Sequence, residues 1–187
     1  MKYQLFIFAV ILNLNLVAQV TEFDRAFNNS HFLTRPDIQL NVGDSIPNGY
    51  FDSQIKLNNS LSGVQYPNME LPVFNYDTLY LYSLKSDITI LNFNYYYCDN
   101  CIDKLNEFVE FKKRSTQKVT IIAVFQDGID DVKTLLSKYG NDIFFIADYK
   151  KNLEYYMLNN GTPLTYILNK DKNIISVLSF DNQTLKQ

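Results

Sequence analysis

The chain has few of the residues that build metal sites and disulfide scaffolds. Its 187 residues include two cysteines, one histidine and no tryptophan. A structural zinc site needs four ligands, usually Cys and His. The one histidine, His31, is far in sequence from Cys98 and Cys101. We therefore assign no metal ligands and no cofactor.

The chain also lacks an excess of basic residues. Its formal net charge is −3 at pH 7 and its pI is about 5.1. Proteins that bind nucleic acid usually carry a basic footprint, so we expect no nucleic-acid partner. Hydrophobic residues make up 47% of the chain, which suffices for a sizeable core. This length suits one domain plus a leader.

Residues 1–19 have the layout of a secretory signal peptide. Lys2 precedes an apolar centre at 5–17, and the small residue Ala18 follows. We predict export and cleavage after Ala18 or Gln19. As a membrane-spanning helix the segment is short and interrupted by two asparagines. A membrane partner is therefore expected only if the leader stays uncleaved. A buried helix of the fold is the other alternative.

Residues 20–70 are predicted to form a polar N-terminal extension. They are rich in Asn, Asp and Ser, with turn-rich segments at 41–49 and 61–68. We predict short strands at 38–42 and 50–57. An extended segment packed on the edge of the main domain is the alternative.

Residues 71–93 are predicted to form a β-hairpin followed by a buried strand. A turn is expected at 75–77 because Asn and Asp favour turns. Leucines and tyrosines then alternate in part over 79–84. The apolar, β-rich run at 88–93 follows and is bounded by polar residues, as expected for the buried strand.

After Cys101 the hydrophobic period becomes helical. One face of the predicted helix carries Ile102, Leu105, Phe108 and Val109. Basic residues at 112–114 complement the negative end of its dipole. Cys98 then lies at the helix N-terminus, where unpaired N–H groups favour a thiolate. Cys101 lies one turn further on, close enough for a disulfide that can exchange two electrons with another dithiol.

The rest of the chain continues the alternation of strand and helix. The apolar run at 118–126 indicates a strand buried on both faces. A helix is predicted at 127–140, with four residues facing inward, Ile129, Val132, Leu136 and Tyr139. A short strand at 142–148, a helix at 149–160 and a hairpin at 161–180 follow. This order predicts an α/β domain with a mixed sheet.

Segment 91–101, LNFNYYYCDNC, resembles the LNFWATWCxxC segment of TlpA-like thioredoxin-fold proteins, the disulfide oxidoreductases of the bacterial cell envelope. Asn92 stands where that family usually has Asn, and Tyr97 where it has Trp. The sequence departs at Asn100, where Pro is common, and at Lys104, where Glu is common. The resemblance covers about residues 70–179.

The resemblance implies a thioredoxin-like fold at 71–187, with a central mixed sheet flanked by helices and an N-terminal β-hairpin extension. It also implies a thiol–disulfide oxidoreductase of the bacterial periplasm or cell envelope. Its partners would be protein thiols or disulfides and an upstream thiol electron donor. In the family's scheme Cys98 is the nucleophile and Cys101 resolves the mixed disulfide.

Gly161-Thr162-Pro163 matches the family's cis-proline loop, which faces the cysteine pair. The resemblance therefore implies that Tyr97, Thr162 and Pro163 contact the substrate. Asp99 lies between the two cysteines, and its negative charge disfavours a thiolate on Cys98. The couple is then less oxidising, which favours a reductase over an oxidase.

Two other functions fit the sequence. A binding or scaffold module could keep the fold with an inert, structural disulfide. However, a C-x-x-C loop is too short to remove much entropy from the unfolded chain. A thiol peroxidase is the other alternative, although the nearby Arg and Thr that such enzymes use are not visible in this sequence.

Overall fold

The computed structural model describes residues 22–23, 25–26, 50–74, 78–94, 96–125, 128–147 and 164–178. Residues 22–23 and 25–26 are helical, and the helices with described bounds are α1 (Tyr50–Leu61), α2 (Asp99–Arg114) and α3 (Ile129–Tyr139). The strands there are β1 (Glu70–Leu71), β2 (Leu79–Tyr80), β3 (Ile88–Asn94), β4 (Val119–Phe125), β5 (Phe144–Ile146), β6 (Leu164–Asn169) and β7 (Ile174–Leu178). Short 3₁₀ helices occupy Leu81–Ser83 and Gly140–Asp142.

A five-stranded sheet in the order β5-β4-β3-β6-β7 forms the centre of the described chain. β4 is parallel to β3 and to β5, whereas β6 is antiparallel to β3 and to β7. β3, which leads to the cysteines, therefore lies in the middle. The predicted mixed sheet is confirmed, with the strands at 88–93, 118–126 and 142–148 and the terminal hairpin.

Helices α2 and α3 cover one face of this sheet. Parallel strands joined through a helix cross over with a right hand, so two successive crossovers in the same direction place both helices on one side. Buried residues of the two helices pack there on Ile90, Ile121 and Phe125. The inward orientation predicted for Ile129 is wrong, because this first residue of α3 is 44% exposed. Leu135 of α3 is buried in the same cluster.

Helix α1 and the segment after it cover the other face. The strand predicted at 50–57 is wrong, since Tyr50–Leu61 is a helix. Leu57 and Leu61 are four residues apart, so they lie on one face of α1, and both are fully buried. They pack in one cluster with the sheet residues Phe93 and Val177, which holds α1 on this face of the sheet. Burial of this pair outweighs the weak helix preference of the asparagines around it. The strand predicted at 38–42 lies outside the described residues.

The chain after α1 also covers the outer edge of β7. Gly63 turns the chain at φ 83°, a conformation that glycine adopts without steric cost. Its backbone N–H donates to Ile174 O at 2.8 Å, and Ile174 N donates to Val64 O at 2.8 Å. Asn58 Oδ1 accepts from Val177 N at 2.9 Å. These bonds pair backbone groups that an edge strand otherwise exposes.

The predicted N-terminal hairpin is present but short. β1 and β2 are antiparallel, with Glu70 opposite Tyr80 and Leu71 opposite Leu79. The turn predicted at 75–77 lies outside the described residues. Phe74 N donates to Phe145 O at 2.8 Å, which joins this hairpin to the β5 edge of the main sheet.

The β6–β7 turn contains a buried lysine. Lys172 is 2% exposed, and its backbone adopts φ 65°, which is uncommon for a residue other than glycine. Its Nζ donates to Leu84 O and Lys170 O, each at 3.2 Å. Burial lowers the pKa of this amine.

Some predictions concern segments outside the described residues. These segments are the leader at 1–19, the helix at 149–160 and the Gly161–Pro163 loop. Among the helices that the structure describes, none combines the length and apolar character needed to cross a bilayer.

Candidate functional site

The end of β3 and the start of α2 place the two cysteines at one end of the central sheet. Cys98 is the N-cap of α2, and its backbone is extended. Cys98 Sγ accepts from Cys101 N at 3.2 Å, and Cys98 O accepts from the same N–H at 2.9 Å. The predicted position of Cys98 at the helix N-terminus is confirmed.

Cys98 and Cys101 form a disulfide, with their Cα atoms 5.2 Å apart. Cys98 is half-buried, whereas Cys101 is fully buried. An incoming thiolate can therefore reach Cys98 more easily than Cys101. This asymmetry agrees with the roles predicted for them, which remain predictions.

The tyrosines before Cys98 rest on helix α3. Tyr97 is 81% exposed, and its hydroxyl donates to Asp131 Oδ1 at 3.4 Å. The Tyr96 hydroxyl forms a 3.0 Å hydrogen bond with Thr134 Oγ1. The two tyrosine rings meet edge to face with centroids 5.0 Å apart. Contacts with α3 thus hold the loop that presents Cys98.

Sequence reasoning identified Tyr97 but missed Tyr96 and the two α3 residues. The run of three tyrosines at 95–97 is visible in the sequence. Its partners Asp131 and Thr134 lie 34 to 38 positions further along the chain. Only the fold brings them to the site.

Acidic side chains surround the helix ends near the disulfide. Asp99 is exposed in the first turn of α2, where the positive end of the dipole favours a carboxylate. Asp130 and Asp131 occupy the first turn of α3. A hydrogen bond from Lys133 lowers the pKa of Asp130. Lys104, which departs from the family's usual Glu, forms an ion pair with Glu107 at 2.6 Å.

A buried amide network lies in the sheet at this end. Asn92 Nδ2 donates to Thr165 Oγ1 at 2.8 Å, and Asn94 Nδ2 donates to Asn92 Oδ1. The three side chains are buried and join β3 to β6. The resemblance pointed to Asn92. The other two were missed, because their burial depends on the pairing of β3 with β6.

The substrate contacts predicted for Thr162 and Pro163 stay predictions, because both residues lie outside the described ranges. β6 begins directly after them, and its first residue Leu164 pairs with Phe93 near the end of β3. Residue 164 therefore lies at the end of the sheet from which the cysteine loop emerges. No cluster of three or more potential metal ligands occurs in the described part of the chain.

The sheet order, the crossover helices and a disulfide at the N-terminus of α2 define a thioredoxin-like α/β fold. Residues 62–177, more than half of the chain, match the AhpC/TSA family. The chain therefore belongs to the AhpC/TSA family. No curated protein matches the sequence.

Several solved structures share this fold. One is the thioredoxin domain of a thiol-disulfide oxidoreductase from Bacteroides vulgatus (TM-score 0.50, 19% identity), with 64% of this chain and 90% of that chain covered. A candidate thiol:disulfide interchange protein DsbE from Chlorobium tepidum has a TM-score of 0.53 at 16% identity, with 63% and 84% covered. A candidate thioredoxin from Neisseria meningitidis has a TM-score of 0.52 at 17% identity, with 63% and 80% covered. At these identities the likeness shows the fold alone.

Proposed function

We propose that this protein is a thiol–disulfide oxidoreductase that exchanges electrons with protein thiols and disulfides through Cys98 and Cys101. The observation that carries this proposal is the disulfide at the N-terminus of α2, with a half-buried Cys98 and a fully buried Cys101. Its family and the thioredoxin-like fold support the same class of reaction.

In the proposed reaction the reduced protein attacks a substrate disulfide. The Cys98 thiolate forms a mixed disulfide with one substrate sulfur, and the other substrate sulfur leaves as a thiolate. Cys101 loses its proton and attacks Cys98 Sγ. That step forms the internal disulfide and releases the first substrate sulfur. A thiol donor then reduces the internal disulfide again.

The position of Cys98 supports its role as the attacking thiol. The backbone N–H of Cys101 points at Cys98 Sγ from 3.2 Å. The same N–H can stabilise a thiolate, as can the positive end of the helix dipole. The charge of Asp99, next in sequence, opposes this effect, so we propose a reductase of the TlpA-like type. Tyr97, exposed beside Cys98, would contact the substrate together with Thr162 and Pro163.

We further propose that the protein works in the periplasm or cell envelope of a bacterium. The support is the layout of residues 1–19. The mature protein should begin at about Gln19 or Val20 when its N-terminus is sequenced. Recovery of the full-length chain in the cytoplasm would contradict export.

The reduction potential separates this proposal from a structural disulfide. Structural disulfides resist reduction, with potentials below about −300 mV. We expect equilibration with a glutathione or thioredoxin couple to give a less negative potential. A more negative potential would support the redox-inert module.

A test for hydrogen peroxide consumption separates the proposal from a thiol peroxidase. We expect the reduced protein to consume no hydrogen peroxide.

A further inference from the structure

The side chain of Asn94 has a buried oxygen that the network leaves unused. The residue is fully buried, and its Nδ2 donates to Asn92 Oδ1 and to Asn92 O, the latter at 3.3 Å. Its Oδ1 accepts no hydrogen bond from any residue that the structure describes. A buried acceptor without a donor is unfavourable and rare, so this oxygen calls for an explanation.

Asn94 lies on the face of the sheet that α2 covers. Its contact with Asn92 shows that the two side chains share one face of β3. Side chains alternate along a strand, so Ile90 is on that face too. Ile90 packs in the cluster with α2 and α3. The unused oxygen is therefore on the face of the sheet that α2 and α3 cover.

Cys101 lies over the same part of β3. It precedes Leu105 by one turn, and both are fully buried, so they share the helix face that meets the sheet. A crossover helix runs back along the strand before it, so the start of α2 lies above the end of β3. Leu105 and Ile90 pack in one cluster on this face. Cys101, one turn nearer the start of α2, therefore faces the end of β3, where the buried Asn94 is the last residue of the strand.

Reduction creates a donor at this place. In the disulfide, Cys101 Sγ carries no hydrogen. A reducing dithiol from another molecule supplies two electrons and two protons and itself becomes a disulfide. The Cys98–Cys101 bond breaks, and each sulfur takes one proton. Cys101 then holds an S–H group, a weak donor, inside the protein.

We propose that Asn94 Oδ1 accepts the hydrogen bond of Cys101 Sγ–H in the reduced protein. Asn94 is then a positioning residue. It stabilises the dithiol relative to the disulfide and keeps Cys101 protonated while Cys98 reacts as the thiolate. The role in turnover rests on the proposed function, whereas the hydrogen bond itself does not.

Infrared spectroscopy of the S–H stretch tests the hydrogen bond directly. The chain has two cysteines, so Cys98→Ser leaves Cys101 as its only thiol. We expect the S–H band of this variant at a lower frequency than that of a free thiol. Asn94→Leu in the same background should move the band to higher frequency. A band at the free-thiol frequency in Cys98→Ser would overturn the proposal without any further variant.

Thr165→Val is the matched control. It has nearly the same shape and removes the hydroxyl at the far end of the network, but leaves Asn94 in place. The S–H band should then stay where it is in Cys98→Ser. Equal shifts in Thr165→Val and Asn94→Leu would show that the network acts only through the fold, and would overturn the proposal.

The redox equilibrium gives an independent readout in the chain with both cysteines. Because S–H is a weak donor, we expect a hydrogen bond at the weaker end of the usual net strength, which corresponds to roughly a two- to fivefold change in an equilibrium constant. Asn94→Leu should lower the ratio of reduced to oxidised protein in a glutathione buffer by that factor, and Thr165→Val should leave it unchanged. An unchanged ratio in Asn94→Leu would overturn the proposal. A shifted S–H band in a protein that exchanges no disulfides would instead keep the hydrogen bond and refute the proposed oxidoreductase.

Discussion

Cys98 Sγ accepts a hydrogen bond from the backbone N–H of Cys101 at 3.2 Å, so one cysteine caps the helix that buries the other. The two sulfur atoms therefore have different environments. Cys98 lies outside the first turn and is half-buried, whereas Cys101 lies inside it and is fully buried.

Asp99→Asn should make the protein more oxidising. The carboxylate beside Cys98 disfavours a thiolate there, so its removal stabilises the reduced form. Because Asp99 is exposed, we expect roughly a two- to fivefold rise in the ratio of reduced to oxidised protein in a glutathione buffer. Asp103→Asn, an exposed substitution one turn further along α2, is the control and should have a smaller effect. A fall in the ratio for Asp99→Asn would contradict the role assigned to this charge.

Tyr97→Ala should slow exchange with protein substrates while leaving the fold intact. The side chain is 81% exposed, so little packing is lost, and the hydrogen bond between Tyr96 and Thr134 still joins the cysteine loop to α3. Exchange with a small disulfide should change much less than reduction of a folded protein, since only the larger substrate can contact the ring. Tyr80→Ala removes another exposed tyrosine, on β2, and should leave both rates unchanged. Similar losses in both variants would argue against a substrate contact at Tyr97.

Leu57→Ala should destabilise the protein by about 2–5 kcal/mol, the usual loss for a fully buried leucine. Leu57 packs on the sheet face opposite α2, in a segment expected to be a polar extension. Urea unfolding measures the change. Lys56→Ala, at the exposed neighbouring position of α1, should change stability by less than about 0.5 kcal/mol. Equal, small effects would show that α1 contributes little to the core.

Lys172→Met should remove a pH dependence of stability. Burial lowers the pKa of Lys172 in the folded state below the value of about 10.4 in the unfolded chain. Between those two pKa values the unfolded chain binds more protons, so stability rises with pH. The free energy of unfolding of the natural protein, minus that of Lys172→Met, should therefore increase as the pH is raised toward 10.4.

Two features make this measurement specific to Lys172. The pKa of Tyr82 is raised by burial to about 12, above the window, and this tyrosine is present in both proteins. Lys170→Met, at an exposed position of the same turn, should show no such difference. A difference in unfolding free energy that stays constant with pH would mean that the Lys172 amine is solvated as it is in the unfolded chain.

The sequence predicts the parts of the fold in which local pattern and tertiary environment agree. The apolar run before Cys98 and the helical period after Cys101 are both strong, and β3 and α2 occur where they were expected. The sequence pattern predicts a strand over 50–57, where the structure has helix α1. Asp, Asn and Ser occupy five of the twelve positions of α1, and the burial of Leu57 and Leu61 against distant strands stabilises the helix. Ile129 fits the helical period but, as the first residue of α3, remains exposed.

Some features of the candidate site can likewise be predicted from the sequence, and others cannot. The C-x-x-C motif and the residues beside it can be read from spacing and from the family resemblance. Other contacts join segments that are far apart in sequence. They are the hydrogen bonds of Tyr96 and Tyr97 with α3 and that of the Asn92 amide with the Thr165 hydroxyl. No local pattern records such pairs. The burial of Asn94 and Lys172 cannot be predicted from the sequence either, because polar residues are usually exposed.

Trapping of mixed disulfides tests the central claim most directly. The reduced forms of Cys101→Ser and Cys98→Ser are each incubated with a disulfide-bonded substrate protein, and the covalent adduct is measured by intact mass. Cys101→Ser keeps the proposed nucleophile but lacks the resolving thiol, so it should accumulate the adduct. Cys98→Ser should form almost none. Trapping by Cys98→Ser and not by Cys101→Ser would reverse the two roles, and no adduct in either variant would contradict thiol–disulfide exchange at this site.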